Sequence, residues 1–199
     1  MSALLSTSPL VRTYTLEEFW DLPEPKDGTK YELIAGVLYM SPPPKGPHNR
    51  AMIKLVHLFV GHLIEVGDEG KCCVPRMALW TGKATYVEPD LFYLSEATLQ
   101  HCDLDRLETA DLVVEVISPG TAIYDRNTKA DTYAALGVSE LWLVDPEHKL
   151  VEVRQLDALT DAYDQGTVFQ SGERVTSQVL LQFKPTVDEI CKSSQVTRR

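Results

Sequence analysis

The sequence predicts an α/β (α+β) chain with a mixed β-sheet flanked by helices, and three observations predict it. Asp111-Leu-Val-Val-Glu-Val-Ile-Ser-Pro119 is an apolar run closed by turn residues, the pattern of a strand buried on both faces. Residues 122 to 136 then carry helical spacing ended by Gly137, and Ser139 to Asp145 is a second apolar run. Strand, helix, strand in that order implies a right-handed crossover between parallel strands. Finally, Leu150 to Leu156 alternates beyond the turn Pro146-Glu-His-Lys149, with Val151 and Val153 inward and Glu152 and Arg154 outward.

The remaining elements are read in chain order. Residues 1–12 carry little pattern and are expected to be a loose arm, as is the polar tail 192–199. Thr15 with Glu18 three residues on is a capping box, so a short helix starts there and stops before Pro23. Lys30 to Met40 is two strand segments around Gly36, a hairpin or a bulged strand. Ser41-Pro-Pro-Pro-Lys-Gly-Pro47 should run extended. From His48 to Glu65 a helix buries the stripe Met52, Leu55, Val56, Phe59 and Leu63, with Arg50, Lys54 and His57 on another face. Lys71 to Trp80 and Tyr86 to Leu94 each read as one strand, and Ser95 to Gln100 as a capped helical turn. Residues 157–183 read as a loop and one more hairpin, and Lys184-Pro-Thr-Val-Asp-Glu-Ile190 opens a last short helix. The whole length of 199 residues suits one domain with a full core.

Composition narrows the function. Hydrophobic residues at 44% and charged residues at 24% are ordinary for a soluble globular protein, and no apolar run reaches membrane-spanning length. The N-terminus lacks the pattern of a signal peptide. The four cysteines show neither a CxxC pair nor metal-site spacing, so a reducing, cytoplasmic setting is expected. A net charge of −10 argues against a protein that coats nucleic acid through lysine and arginine. It leaves room for a metal-dependent nuclease, whose own carboxylates add to the negative count.

Glu115 is the first candidate site residue, since a carboxylate among Val113, Val114, Val116 and Ile117 needs a cation beside it. Arg126, Lys129, Tyr133 and Leu136 share one helical stripe whose later members are apolar, which turns Lys129 toward the core. Asp90, just after Pro89, and Glu32, between Tyr31 and Leu33, bring two more carboxylates to the sheet. Carboxylates gathered in this way suit Mg²⁺ or Mn²⁺, hard ions that prefer oxygen. Such an ion activates water and clamps phosphate oxygens, while a lysine offsets charge in the transition state.

Several pieces in order, Tyr31-Glu-Leu-Ile34 with Gly36, Ser41-Pro-Pro-Pro44 with His48, Glu88-Pro-Asp90, Leu112 to Pro119, Asp125-Arg126 with Lys129, and Gly137 to Pro146, resemble the putative restriction endonuclease family of the PD-(D/E)XK nuclease superfamily. The resemblance runs from about Thr15 to Leu156. It implies a restriction-endonuclease-like core, a DNA substrate, a Mg²⁺ or Mn²⁺ cofactor and a homodimer. It carries Asp90 and Glu115 over as metal ligands, and Glu32 as a further ligand. The lysine usual two residues after the acid falls on Ile117, so Lys129 takes that role from the next helix. Ala35 and Val37 depart from acidic residues common in relatives.

Plainer readings stand beside these. Glu115 and Lys129 also fit a buried salt bridge, Asp90 a turn cap, and Glu32 a solvent-facing strand residue. His48 fits a helix N-terminus or a phosphate contact; Arg50 and Arg126 fit nucleic-acid contacts, and Arg126 equally a surface ion pair. For the whole chain the choice lies between a metal-dependent deoxyribonuclease and a catalytically inactive nuclease-fold protein that binds nucleic acid or a protein.

Overall fold

A computed structural model describes residues 12–118 and 124–192. Most of the expected loose arm, the start of the crossover helix at Ala122 and the tail from residue 193 lie outside the described residues.

The first sheet is small. Strands β1 (Lys30–Ile34) and β2 (Val37–Ser41) form a hairpin in which Ile34 pairs with Val37, so the loop is the two residues Ala35 and Gly36. Both have positive φ, 49° and 80°, the mirror-image turn whose twist matches a hairpin. A side chain at Gly36 would also meet the Tyr14 carbonyl at 3.3 Å. With β4 (Leu79–Thr81) and β5 (Thr85–Val87) the order is β2-β1-β5-β4. Helix α1 (Leu16–Trp20) starts at the Thr15–Glu18 capping box and packs Leu16 and Phe19 against Leu33.

The second sheet is built from β3 (Lys71–Cys73), β6 (Leu91–Leu94), β7 (Leu112–Val116), β8 (Glu140–Asp145), β9 (Leu150–Asp157), β10 (Ala162–Tyr163) and β11 (Thr167–Gln170). Its order is β10-β9-β8-β7-β6-β3, with β11 also on β9. Strands β7 and β8 run parallel and their neighbours antiparallel, which makes the sheet mixed as predicted. On one face lie α2 (Gly46–Val66) and α5 (Val187–Cys191): Leu55, Phe59, Leu63 and Ile190 pack with Leu112, Val114, Trp142 and Val144. Truncating a ring as enclosed as Phe59 to alanine costs about 3–5 kcal/mol. After β6 comes the short α3 (Glu96–Leu99); on the other face a π-helical turn, Asp125–Lys129, runs into α4 (Ala130–Ala135), and Ala130 and Tyr133 cover Val113, Leu141 and Leu143.

Five expectations are corrected. Lys71 to Trp80 is not one strand: β3 and β4 belong to different sheets, with Pro75, which cannot donate to a ladder, between them. Tyr86 to Leu94 is likewise split, and the chain passes from the small sheet to the large one at Glu88-Pro89-Asp90. Helix α2 begins at Gly46, because Pro47 in its first turn lacks only an N–H that would be unpaired anyway. Glu152 does not face solvent: it is buried, and Arg126 and Arg154 both pair with it. The buried stripe of α2 is centred on Ala51, Leu55, Phe59 and Leu63, with Met52 and Val56 at its flanks.

Candidate active site

Alternation along β7 sends Leu112, Val114 and Val116 to the α2 face and Val113 and Ile117 to the α4 face, and Glu115 goes with the latter. Glu115 is 2% exposed. Lys129, closing the π-turn, is equally enclosed, and its Nζ lies 2.6 Å from Glu115 Oε1 and 3.2 Å from Glu32 Oε1. One turn on, the Tyr133 hydroxyl donates to the same Glu115 oxygen. Glu32 comes from β1, so the lysine ties the small sheet to the large one. Glu32 Oε1 also accepts the Glu88 N–H at 2.9 Å and lies 3.5 Å from Lys30 Nζ. Its other oxygen, Oε2, is buried with no partner.

Asp90 stands at the corner rather than within a strand. The register pairs Leu91 with Val114, and one step further sets Asp90 opposite Glu115. Asp90 Oδ2 accepts the Val116 N–H at 2.8 Å and the Nε2 hydrogen of His48 at 3.0 Å. His48 comes from the first turn of α2, so both sheets and the long helix meet here.

The electrostatics follow from this crowding. Burial pushes the Glu115 carboxyl up to about 8; the Lys129 ammonium opposes the rise and the Asp90 charge adds to it. Burial disfavours the charged form of Lys129, but Glu115 and Glu32 outweigh it and hold its pKa well above the ordinary lysine value. Burial also opposes ionisation of Asp90, yet the hydrogen bond and charge of His48 keep its carboxyl below the usual range. Three carboxylates thus gather about the fully buried ammonium of Lys129 and the part-exposed one of Lys30, so with all three ionised negative charge is in excess.

No group of three or more His, Cys, Asp or Glu among the described residues is arranged as a metal cage. Lys129 takes an oxygen from both glutamates, while His48 and the Val116 amide take one from Asp90. The donor set nonetheless fits a hard divalent cation: every candidate atom is a carboxylate oxygen, the charge is in excess, and Glu32 Oε2 lacks a partner.

Of the residues predicted for the site, Glu32, Asp90, Glu115 and Lys129 are brought together, and His48 joins them through Asp90. Arg50 is exposed on α2 and makes no ion pair with the cluster. Arg126 is tied to Glu152, its carbonyl accepting from Arg154 Nη1 at 2.9 Å. Ile117, at the position where a lysine is usual, is a core residue 4% exposed. Sequence reasoning missed Tyr133 and Lys30 as members of the cluster. Both had a signal, since Tyr133 is four residues after Lys129 on a helix and Lys30 two residues before Glu32 on a strand.

The chain matches the model of the family Uma2, described as putative restriction endonuclease, over residues 16–188. A search of curated proteins finds no match. Among solved structures, the fold resembles a putative nuclease of the DUF820 family from Anabaena variabilis ATCC 29413, with a TM-score of 0.71 and 17% identity over 89% of this chain and 97% of that one. The mixed sheet and its flanking helices are therefore a nuclease fold. With the matched segment running from α1 into α5, the chain belongs to the putative restriction endonuclease family.

Proposed function

We propose that the protein is a metal-dependent endonuclease that hydrolyses DNA phosphodiester bonds at the seam between its two sheets. The observation that carries this reading is the meeting of Glu32, Asp90 and Glu115, all buried, beside the buried ammonium of Lys129, which contacts both glutamates. Asp90, Glu115 and Glu32 would hold Mg²⁺ or Mn²⁺. Such an ion supplies an acidified water and neutralises phosphate charge. Lys129, kept cationic by its glutamates, stands ready to steady the attacking water and the charge that develops on phosphate. Tyr133 fixes the Glu115 oxygen it donates to, and His48 with the Val116 amide fixes Asp90. Lys30, a quarter exposed and hydrogen-bonded at 2.8 Å to the Glu88 carbonyl, adds positive charge at the open side. Four free thiols agree with a reducing, cytoplasmic location, and no described helix is long and apolar enough to cross a membrane.

Purified protein with Mg²⁺ or Mn²⁺ should cut plasmid or single-stranded DNA, and Glu115→Ala and Lys129→Ala should each remove the activity. Unchanged cleavage in both variants sinks the mechanism. One observation favours a second reading, a nuclease-fold protein that binds without cutting: Lys129 already bridges Glu32 and Glu115 as a closed ion pair. Calorimetry separates the two, since a protein that takes up no Mn²⁺ at millimolar concentration is of the second kind.

A further inference from the structure

Helix α2 buries one face on the large sheet and leaves its opposite face without a partner among the described residues. On that outer face Ile53, Val60 and Ile64 are 72%, 39% and 76% exposed. With His57 they fall at steps of four, three and four residues, the heptad spacing of a helix-pairing seam. Leu104, also exposed, extends the apolar surface beside the C-terminal half of the helix.

Two further features suit a paired helix better than a solitary one. Gly61 lies on the same face in mid-helix, where it weakens the helix relative to alanine, and a Cβ there would meet nothing within 4 Å. The described residues give no packing reason for the glycine; close approach of another backbone does. The charges are also reversed relative to what the helix dipole favours. The first turn has no acidic residue and the last no basic one; instead Lys45 and Arg50 sit at the N-terminal end and Glu65 and Glu69 at the C-terminal end.

We propose that this face of α2 pairs antiparallel, across a two-fold axis, with α2 of a second copy of the chain. An axis crossing near His57 sets Ile53 of each copy over Gly61 of the other. It also brings Arg50 beside Glu65 of the second copy, so the pairing that buries the aliphatic seam answers the reversed charges at both ends. A two-fold interface needs a surface complementary to itself, and a helix basic at one end and acidic at the other has that property. The inference does not rest on the nuclease reading, because its readout is mass.

Sedimentation equilibrium of the full chain at tens of micromolar should give twice the 22.3 kDa of one chain. Ile64→Glu and Gly61→Phe should each give monomers with unchanged circular dichroism; the second adds a side chain where the lone chain has open space, so misfolding does not explain its effect. Arg50→Glu should weaken the dimer about tenfold, and Glu65→Arg in the same chain should restore it. A monomeric wild-type chain, or a Gly61→Phe dimer as tight as wild type, overturns the proposal.

Discussion

Two glutamates on adjacent strands of the large sheet, Glu115 on β7 and Glu140 on β8, are both buried, and they are held in opposite ways. Glu140 is 0% exposed, yet its oxygens are met by neutral donors, the Trp142 indole, the Gln155 amide and the Gln178 backbone N–H, each at 2.7 Å. Glu115 is met by a lysine and a tyrosine on one oxygen, and a second carboxylate stands opposite it. Burial of an acid is therefore no mark of a site. What separates the two is that Glu140 is satisfied by fixed dipoles, which leaves nothing for a ligand to add, whereas Glu115 sits in a surplus of negative charge that a cation would relieve.

The largest expected break is in activity. Glu115→Gln should reduce metal-dependent cleavage below detection in a plasmid assay, whereas Glu140→Gln, which keeps the shape and one acceptor, should retain cleavage in the folded fraction. Glu140→Ala comes next and acts on stability. The buried Trp142 indole loses its acceptor at about 1–3 kcal/mol, and the part-buried Gln155 and Gln178 bonds are lost with it, so urea unfolding should show a loss of roughly 1–3 kcal/mol with no loss specific to catalysis. His48→Ala should lower cleavage by about 10–100-fold, the usual effect of removing a group that orients a ligand, with no change in melting temperature large enough to explain it.

The smallest effect is in pH. The Glu115 carboxyl is raised in the folded protein to about 8, so the folded state binds that proton more tightly than the unfolded chain. Its contribution to stability is full below the ordinary glutamate value and is lost as pH rises through about 8. Thermal unfolding in EDTA should show this decline, Glu115→Gln should flatten it, and Glu140→Gln should leave it in place.

The half of the site that lies on β7 and the helix after it is legible in the sequence, because Glu115 breaks an apolar run and Lys129 keeps helical phase with Tyr133. Glu140 is illegible for the converse reason: its acceptors are satisfied by Gln155 and Gln178, 15 and 38 residues away, and no local pattern announces such partners. The two-sheet architecture is also hidden. Residues 86 to 94 have the composition of one strand, and only the pairing of Thr85–Val87 with the small sheet and Leu91–Leu94 with the large one shows that Pro89 divides them. Helix existence and caps, by contrast, are local properties: Thr15 and Ser95 cap where the sequence places them, and the last short helix forms where expected, capped by Thr186.

The corner Glu88-Pro89-Asp90 carries a consequence for folding order. Its first residue donates to Glu32 in the small sheet, across 56 residues, and its last accepts from Val116 in the large one. Lys129 then joins Glu32 to Glu115 from the far side of the crossover. The cluster cannot assemble within either sheet alone, and long-range closures of this kind come late when a chain folds. A partly folded or clipped molecule holding only one sheet has an incomplete set of carboxylates, so a DNA-cutting activity housed here would be withheld until the whole structure is in place.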